Sequence, residues 1–234
     1  MNINAAPAVL LDVDDTLLDF HKAEAAALSK TLVDMGVEPK AETLSRYSVI
    51  NAGLWEQLEE GLVTREQVLT SRFEILFNEL GLAHSGYEAR LLYENYLSIG
   101  HYFMPGAPAL LEALYGKYRL FIVSNGTASV QDGRIKSAGI ARYFEEIFIS
   151  ERVGFNKPSP EFFARCFERI PGFARENTLI VGDSLSSDIR GGINAGIKTC
   201  WFNPKGKAAR EDIRPDWEIS ALEELPGLLG EIFP

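Results

Sequence analysis

The sequence predicts an α/β protein: a parallel sheet with helices on both faces and an all-helical cap inserted after the first strand. Three observations predict it. From residue 104 onward, short aliphatic runs bounded by polar turn formers alternate with helical stretches, which is the grammar of a parallel sheet. Between residues 19 and 103 the strand signal disappears and apolar residues recur at helical spacing. The polar residues with chemical potential fall at carboxyl ends of expected strands, the edge where open α/β sheets bind ligands. The expected division is therefore a sheet core of residues 1–18 and 104–234, with a helical cap of residues 19–103.

Residues 8–11, Ala-Val-Leu-Leu, read as a buried first strand, and Asp12-Val13-Asp14-Asp15-Thr16 follows where that strand meets solvent. In the insertion, Ala23, Ala26 and Ala27, then Leu54, Trp55 and Leu58, then Val68, Leu69, Phe73, Leu76, Phe77 and Leu80 mark helical faces. Gly36, Gly61, Gly81 and Gly86 punctuate them, so about four helices are expected. Thr64-Arg65-Glu66-Gln67 has the form of a capping box. After Pro105-Gly106 a helix runs through residue 114, and residues 120–123 form the second strand, ending in Ser124-Asn125-Gly126. A helix over 128–138 stops at Gly139. Residues 147–149 are the third strand and 161–169 the next helix. A fourth strand, 178–181, ends in Gly182-Asp183, and a helix over 187–195 stops at Gly196. Residues 198–202 are the fifth strand, and 221–232 a closing amphipathic helix.

Composition bounds the function. The chain has 234 residues, 46% hydrophobic and 24% charged, values of an ordinary globular protein. A formal charge of −10 disfavours non-specific binding to nucleic acid or an anionic membrane surface. The first residues lack the basic and long apolar segments of a signal peptide, and no apolar run approaches the roughly 20 residues that span a bilayer. A cytoplasmic protein is expected. Cys166 and Cys200 stand outside any metal-binding spacing and read as reduced core residues.

Parallel strands bring Asp12 with Asp14, Ser124 with Asn125, Lys157, and Asp183 with Asp188 to one edge of the sheet. Successive strand residues face opposite ways, so Asp12 and Asp14 can point to one side. Two carboxylates that close repel, and a cation or a shared proton must compensate. Each residue type then has a task in phosphoryl transfer, where positioning and charge neutralisation supply most of the catalysis. Asp12 suits a nucleophile, and Asp14 an acid and base for the leaving group and the water. Ser124, Lys157 and the backbone amide of Gly126 suit the phosphoryl oxygens, with Asn125 beside them. Asp183 offers a hard oxygen ligand for Mg²⁺, with Mn²⁺ as the alternative ion. Asp188 can also stabilise its helix start, and Thr16 reads as loop support.

With these residues in order, the chain resembles the haloacid dehalogenase-like (HAD) superfamily. The matching pieces are Leu11-Asp12-Val13-Asp14-Asp15-Thr16-Leu17, Ile122-Val123-Ser124-Asn125-Gly126, Asn156-Lys157-Pro158-Ser159-Pro160 and Val181-Gly182-Asp183-Ser184-Leu185-Ser186-Ser187-Asp188-Ile189. The resemblance implies a Rossmann-like core, Asp12 as nucleophile, Asp14 as acid and base, and a metal held by Asp12, the Asp14 main-chain carbonyl and Asp183, with Asp188 supporting. It also implies that the helical insertion closes over the substrate. The superfamily's dehalogenases lack an acid at the position of Asp14, so its presence favours a phosphatase.

A narrower likeness reaches across most of the chain. Asn51-Ala52-Gly53-Leu54-Trp55-Glu56 with Gly61 and Arg72-Phe73, Ile149-Ser150-Glu151-Arg152-Val153-Gly154, and Asp188-Ile189-Arg190-Gly191-Gly192-Ile193-Asn194-Ala195-Gly196 with Thr199-Cys200-Trp201 resemble bacterial pyrimidine 5′-nucleotidases. That implies a nucleoside monophosphate such as UMP, dUMP or dTMP as the partner. The alternatives are a sugar-phosphate or phosphoglycolate phosphatase or phosphomutase on the same scaffold and, from another class, a phosphoacceptor signalling module. Trp55 and Phe73 are expected in the bundle core and Arg72 on a solvated face or in a cap salt bridge. His21, His84 and His101 lack metal-ligand spacing; His21 alone lies near the catalytic loop. Monomer and homo-oligomer are both left open.

Overall fold

The computed structural model describes residues 6–234. Six parallel strands form one sheet in the order β3-β2-β1-β4-β5-β6: β1 Ala8–Leu11, β2 Arg119–Ser124, β3 Glu146–Ile149, β4 Thr178–Gly182, β5 Lys198–Phe202 and β6 Trp217–Ile219. Leu11 of β1 lies beside Ile122 on one side and Val181 on the other, so Asp12, Ser124 and Asp183 emerge at one edge. Alternation along each strand splits the core into two layers. Val9, Leu11, Ile122 and Val181 face a cluster with Leu110, Leu114, Leu225 and Leu229. Ala8, Leu10, Val123 and Ile180 face Phe162, Phe163 and Cys166 on the other side. The parallel α/β sheet expected from the alternating pattern, and the Rossmann-like core that the resemblance implied, are what form.

Four helices, α1 Phe20–Asp34, α2 Ala41–Glu59, α3 Arg65–Glu79 and α4 Gly86–Ile99, fill the insertion and pack around a cluster of their own. Its centre is Tyr47, Phe73, Phe77 and Tyr93, all fully buried. The capping box is present: Thr64 accepts from the Gln67 backbone N–H, and the Gln67 side-chain oxygen accepts from that of Thr64. Two crossing segments join the insertion to the sheet, and they pair with each other through Asp19 N–H to Tyr102 O at 2.7 Å and Met104 N–H to Leu17 O at 3.0 Å.

The remaining helices are α5 Ala107–Leu114, α6 Ala128–Ala138, α7 Ser150–Val153, α8 Pro160–Arg169, α9 Arg190–Ala195 and α10 Leu225–Ile232. Three differences from the sequence reading have local causes. Strand β6 was not expected, because only Ile219 of its three residues is fully buried; it docks where Asp216 accepts from the backbone and hydroxyl of Thr199. The helix expected over 187–195 starts instead with a wide turn, Leu185–Ile189, before α9. Ser184 caps that turn by accepting from Ser187 N–H, while Asp188 bends back to accept from Ser184 N–H. The closing helix is a tight turn, Leu222–Glu224, followed by α10 with Pro226 in its first turn. Both cysteines are buried and free. Among the described residues no helix is long and apolar enough to cross a membrane.

Candidate active site

Asp12 sits one residue past β1, anchored by its N–H to Val181 O at 3.0 Å. The buried ammonium of Lys157 reaches it from the loop after α7 and donates three bonds: to Asp12 Oδ1 at 2.7 Å, Asp188 Oδ1 at 2.6 Å and Val123 O at 2.8 Å. Burial alone would depress the Lys157 pKa; Asp12 and Asp188 outweigh it, and the net shift is upward. Lys157 is thus a permanent cation. Burial pushes Asp12 up to about 7; Lys157 opposes that shift, and the neighbouring carboxylates of Asp188 and Asp14 add to it. Burial likewise lifts Asp183 to about 6, with Asp12 adding to the rise and Lys207, at 3.1 Å, working against it.

Asp12, Asp183 and Asp188 each place a carboxylate oxygen within 4.8 Å of the others. Three carboxylates against the ammoniums of Lys157 and Lys207 still leave a net negative cluster, and hard oxygen donors suit Mg²⁺. The donor set therefore fits the metal expected from the sequence. Asp183 is itself oriented from three sides: its N–H donates to Thr16 Oγ1, its carbonyl accepts from Trp201 Nε1, and Lys207 holds its carboxylate. Gly182 is required here, because a Cβ would stand 2.2 Å from the Asp188 carboxylate.

The Asp14 side chain turns to α6. Gln131 Nε2 donates to Asp14 Oδ2 at 2.7 Å and to Ser124 Oγ at 2.9 Å, and Arg134 forms an ion pair with Asp14 Oδ1. Ser124 Oγ also accepts from Gly126 N–H at 3.1 Å, so both its acceptor sites are filled and its O–H proton remains to be donated. Gly126 packs so tightly that a Cβ would lie 2.6 Å from Gln131. Asn125 borders the cavity. Its amide clamps the Lys157 backbone, accepting from Lys157 N–H at 2.8 Å and donating to its carbonyl at 2.9 Å.

A cavity of about 200 Å³ lies between this edge and the four-helix layer. Asp12, Asp14, Lys157 and Asp183 form its floor; Phe20, Trp55, Leu69, Arg72 and Leu97 come from the helical layer, and Val130 and Arg134 from α6. A haloacid dehalogenase-like hydrolase family model matches residues 6–196. The chain belongs to that family. Among the HAD relatives, YfnB of Bacillus subtilis, a protein carrying the name HAD-hydrolase, is 43% identical over 95% of this chain and 94% of its own. The crystal structure of YfnB bound to magnesium, which reveals interdomain movement, superposes with a TM-score of 0.92 at 42% identity, covering 96% of this chain and 98% of that one. The pyrimidine 5′-nucleotidases PynA of Streptococcus pneumoniae, at 35% identity over 93% of this chain and 92% of its own, and YjjG of Escherichia coli, at 34% over 94% and 96%, are also similar.

Within this HAD site, the structure brings Asp12, Ser124, Lys157, Asp183 and Asp188 together as the sequence motifs anticipated. Asp15, which had no task, adopts φ 59°, caps the Phe20 N–H at 2.9 Å and pairs with His21 at 3.2 Å. His21 is spent there and does not border the cavity. Arg72 is not solvated: it is 3% exposed, stacked between Phe73 and Tyr93, and forms no salt bridge among the described residues. Phe73 is core as expected, while Trp55 borders the cavity. Gln131, Arg134 and Arg65 went unnoticed in the sequence. The buried stripe of α6 is Val130, Gln131, Arg134 and Ile135, and two polar residues on an otherwise apolar stripe were the available signal.

Proposed function

We propose that the protein is an Mg²⁺-dependent phosphatase that hydrolyses pyrimidine nucleoside 5′-monophosphates through an aspartyl phosphate on Asp12. The observation that carries the reaction class is the Asp12–Lys157–Asp188 cluster opening, beside Asp14, onto a cavity covered by helices. The likeness to PynA and YjjG along more than nine-tenths of each chain supports the substrate class.

In this reading an Asp12 oxygen attacks phosphorus as the bond to the leaving oxygen breaks, and Asp14 protonates that oxygen. Water then attacks the phosphoryl group, Asp14 takes its proton, and the bond to Asp12 breaks to release phosphate. Lys157 favours the ionised form of Asp12 and faces the developing charge, while the Ser124 O–H, whose oxygen is held by the Gly126 N–H, supplies a donor for a phosphoryl oxygen. Asp12, Asp183 and the Asp14 carbonyl would hold Mg²⁺, with Asp188 supporting; the metal supplies charge neutralisation at the transferring group. Residues 19–103 act as a cap that excludes water, a role that the interdomain movement of YfnB supports.

The test is a panel of phosphate esters with Mg²⁺. Sustained turnover with kcat/KM at least tenfold higher for uridine and thymidine monophosphates than for sugar phosphates and phosphoglycolate is expected. Equal or lower values for the nucleotides would overturn the substrate assignment. A single stoichiometric burst would overturn the hydrolase in favour of a phosphoacceptor.

A further inference from the structure

Arg72 is a buried cation whose needs the protein meets only in part. Its Nε donates to Leu69 O at 3.2 Å and its Nη1 to Asn51 Oδ1 at 3.0 Å. Its Nη2 has no hydrogen-bond partner among the described residues, no carboxylate lies within ion-pair distance, and the residue borders the cavity. A cationic donor left without a protein partner at a cavity wall is open to a ligand acceptor, and a hydrogen bond from a charged donor is stronger than one between neutral groups.

The surroundings hold that guanidinium rigidly. Phe73 and Tyr93 lie against its plane at 5.2 and 4.8 Å. Asn51 is itself fixed, because its amide donates to Glu24 Oε1 at 2.8 Å and Glu24 also accepts from Ser48 at 2.6 Å. The same Asn51 oxygen accepts from the Trp55 indole N–H at 3.1 Å. One oxygen thus sets both the fork of Arg72 and the ring of Trp55. Arg65 covers Trp55 at 5.4 Å, and the indole borders the cavity alongside Arg72. An aromatic surface next to an orphan donor matches a planar ring with acceptor atoms on its edge.

Resting on the nucleotidase reading, we infer that Arg72 and Trp55, anchored together by Asn51, form the base subsite. The pyrimidine stacks on Trp55, and a ring carbonyl accepts from Arg72 Nη2. The carbonyl is neutral; Glu24, reaching Arg72 through Asn51, already supplies part of the compensating field. The base needs only to complete the donor, not neutralise a charge. Arg72 is a specificity-determining residue remote from the reacting phosphorus.

The experiment compares kcat/KM of the wild type and Arg72→Met on uridine 5′-monophosphate, ribose 5-phosphate and phosphoglycolate. Losing one charge-assisted bond in a buried site should cut the uridine value about 10- to 100-fold, with a loss on ribose 5-phosphate at least tenfold smaller. A uniform loss on all three, or none on the nucleotide, overturns the subsite. A loss confined to phosphoglycolate overturns it in favour of an acidic leaving group. A second arm, on the wild type alone, covers a variant that does not fold. A nucleotide with its ring carbonyls replaced by hydrogen should lose the same 10- to 100-fold, and undiminished turnover of that analogue overturns the inference. A wild type indifferent to the base overturns the nucleotidase reading and the subsite together. A base preference that survives Arg72→Met overturns the subsite alone.

Discussion

At the scale of single residues, the contact with most chemical content is the one between α6 and Asp14. A general acid must hold its proton in line with the leaving oxygen, and misplacement by about 1 Å costs on the order of 10²-fold. Gln131 and Arg134 grip both oxygens of Asp14, and Arg134 also donates to Gly100 O at 3.2 Å, where α4 returns towards the sheet. The orientation of Asp14, the proton donor of the proposed mechanism, is thereby tied to the helical layer. Removing the grip with Arg134→Met should lower kcat about tenfold or more on a nucleotide, whose alkoxide leaves poorly unless protonated. The loss should be under about threefold on p-nitrophenyl phosphate, whose leaving group needs no proton. KM should move little for both. Equal losses on the two substrates would mean that Arg134 is a structural support and not a positioning residue for the acid.

At the scale of elements, the N-terminus of α3 fastens the helical layer to the catalytic loops. Arg65 donates to Asn125 O at 2.9 Å, Ser150 Oγ at 2.6 Å and Asn156 Oδ1 at 2.7 Å, and Asn125 in turn clamps the backbone of Lys157. Net contributions of about 0.5–1.5 kcal/mol per bond make the three bonds of this fastening worth about 1.5–4.5 kcal/mol. Arg65→Ala should therefore raise amide hydrogen exchange in the loops carrying Asn125 and Asn156 about tenfold or more. Unchanged protection there would show that the layer is held by other contacts, such as Ser186 on Glu59. The elements were legible where burial dictated residue type. Strands β1, β2 and β4 carry near-continuous aliphatic runs and β5 a buried run from Thr199 to Phe202, because both faces of a parallel sheet are covered. Strand β6 was not, since Trp217 and Glu218 are partly exposed and carry no such pattern. The turn Leu185–Ile189 escaped notice because Asp188 serves Lys157 and Ser184 at once, a tertiary demand that local spacing does not reveal.

At the scale of the whole molecule, three strand ends bring an acidic cluster and one lysine to a single edge, and a four-helix insertion covers them. Asp12, Asp14 and Asp183 at the floor were legible because they follow apolar runs, which give a polar side chain a known place, and Lys157 through the Asn156-Lys157-Pro158 motif. The walls were not. Arg72 reads as a surface residue because charged residues are rarely buried, and only the tertiary meeting of α2, α3 and α4 shows Asn51, Phe73 and Tyr93 enclosing it. The proposed mechanism requires two successive in-line displacements at phosphorus, the first by Asp12 and the second by water. Each displacement inverts configuration, so the pair must restore it. The most direct test is the stereochemical course of hydrolysis, in water enriched in ¹⁷O, of a nucleoside 5′-phosphorothioate made chiral at phosphorus with ¹⁶O and ¹⁸O, which releases a chiral inorganic thiophosphate. Net retention is predicted; net inversion would mean that water attacks directly, and the central role given to Asp12 would be wrong.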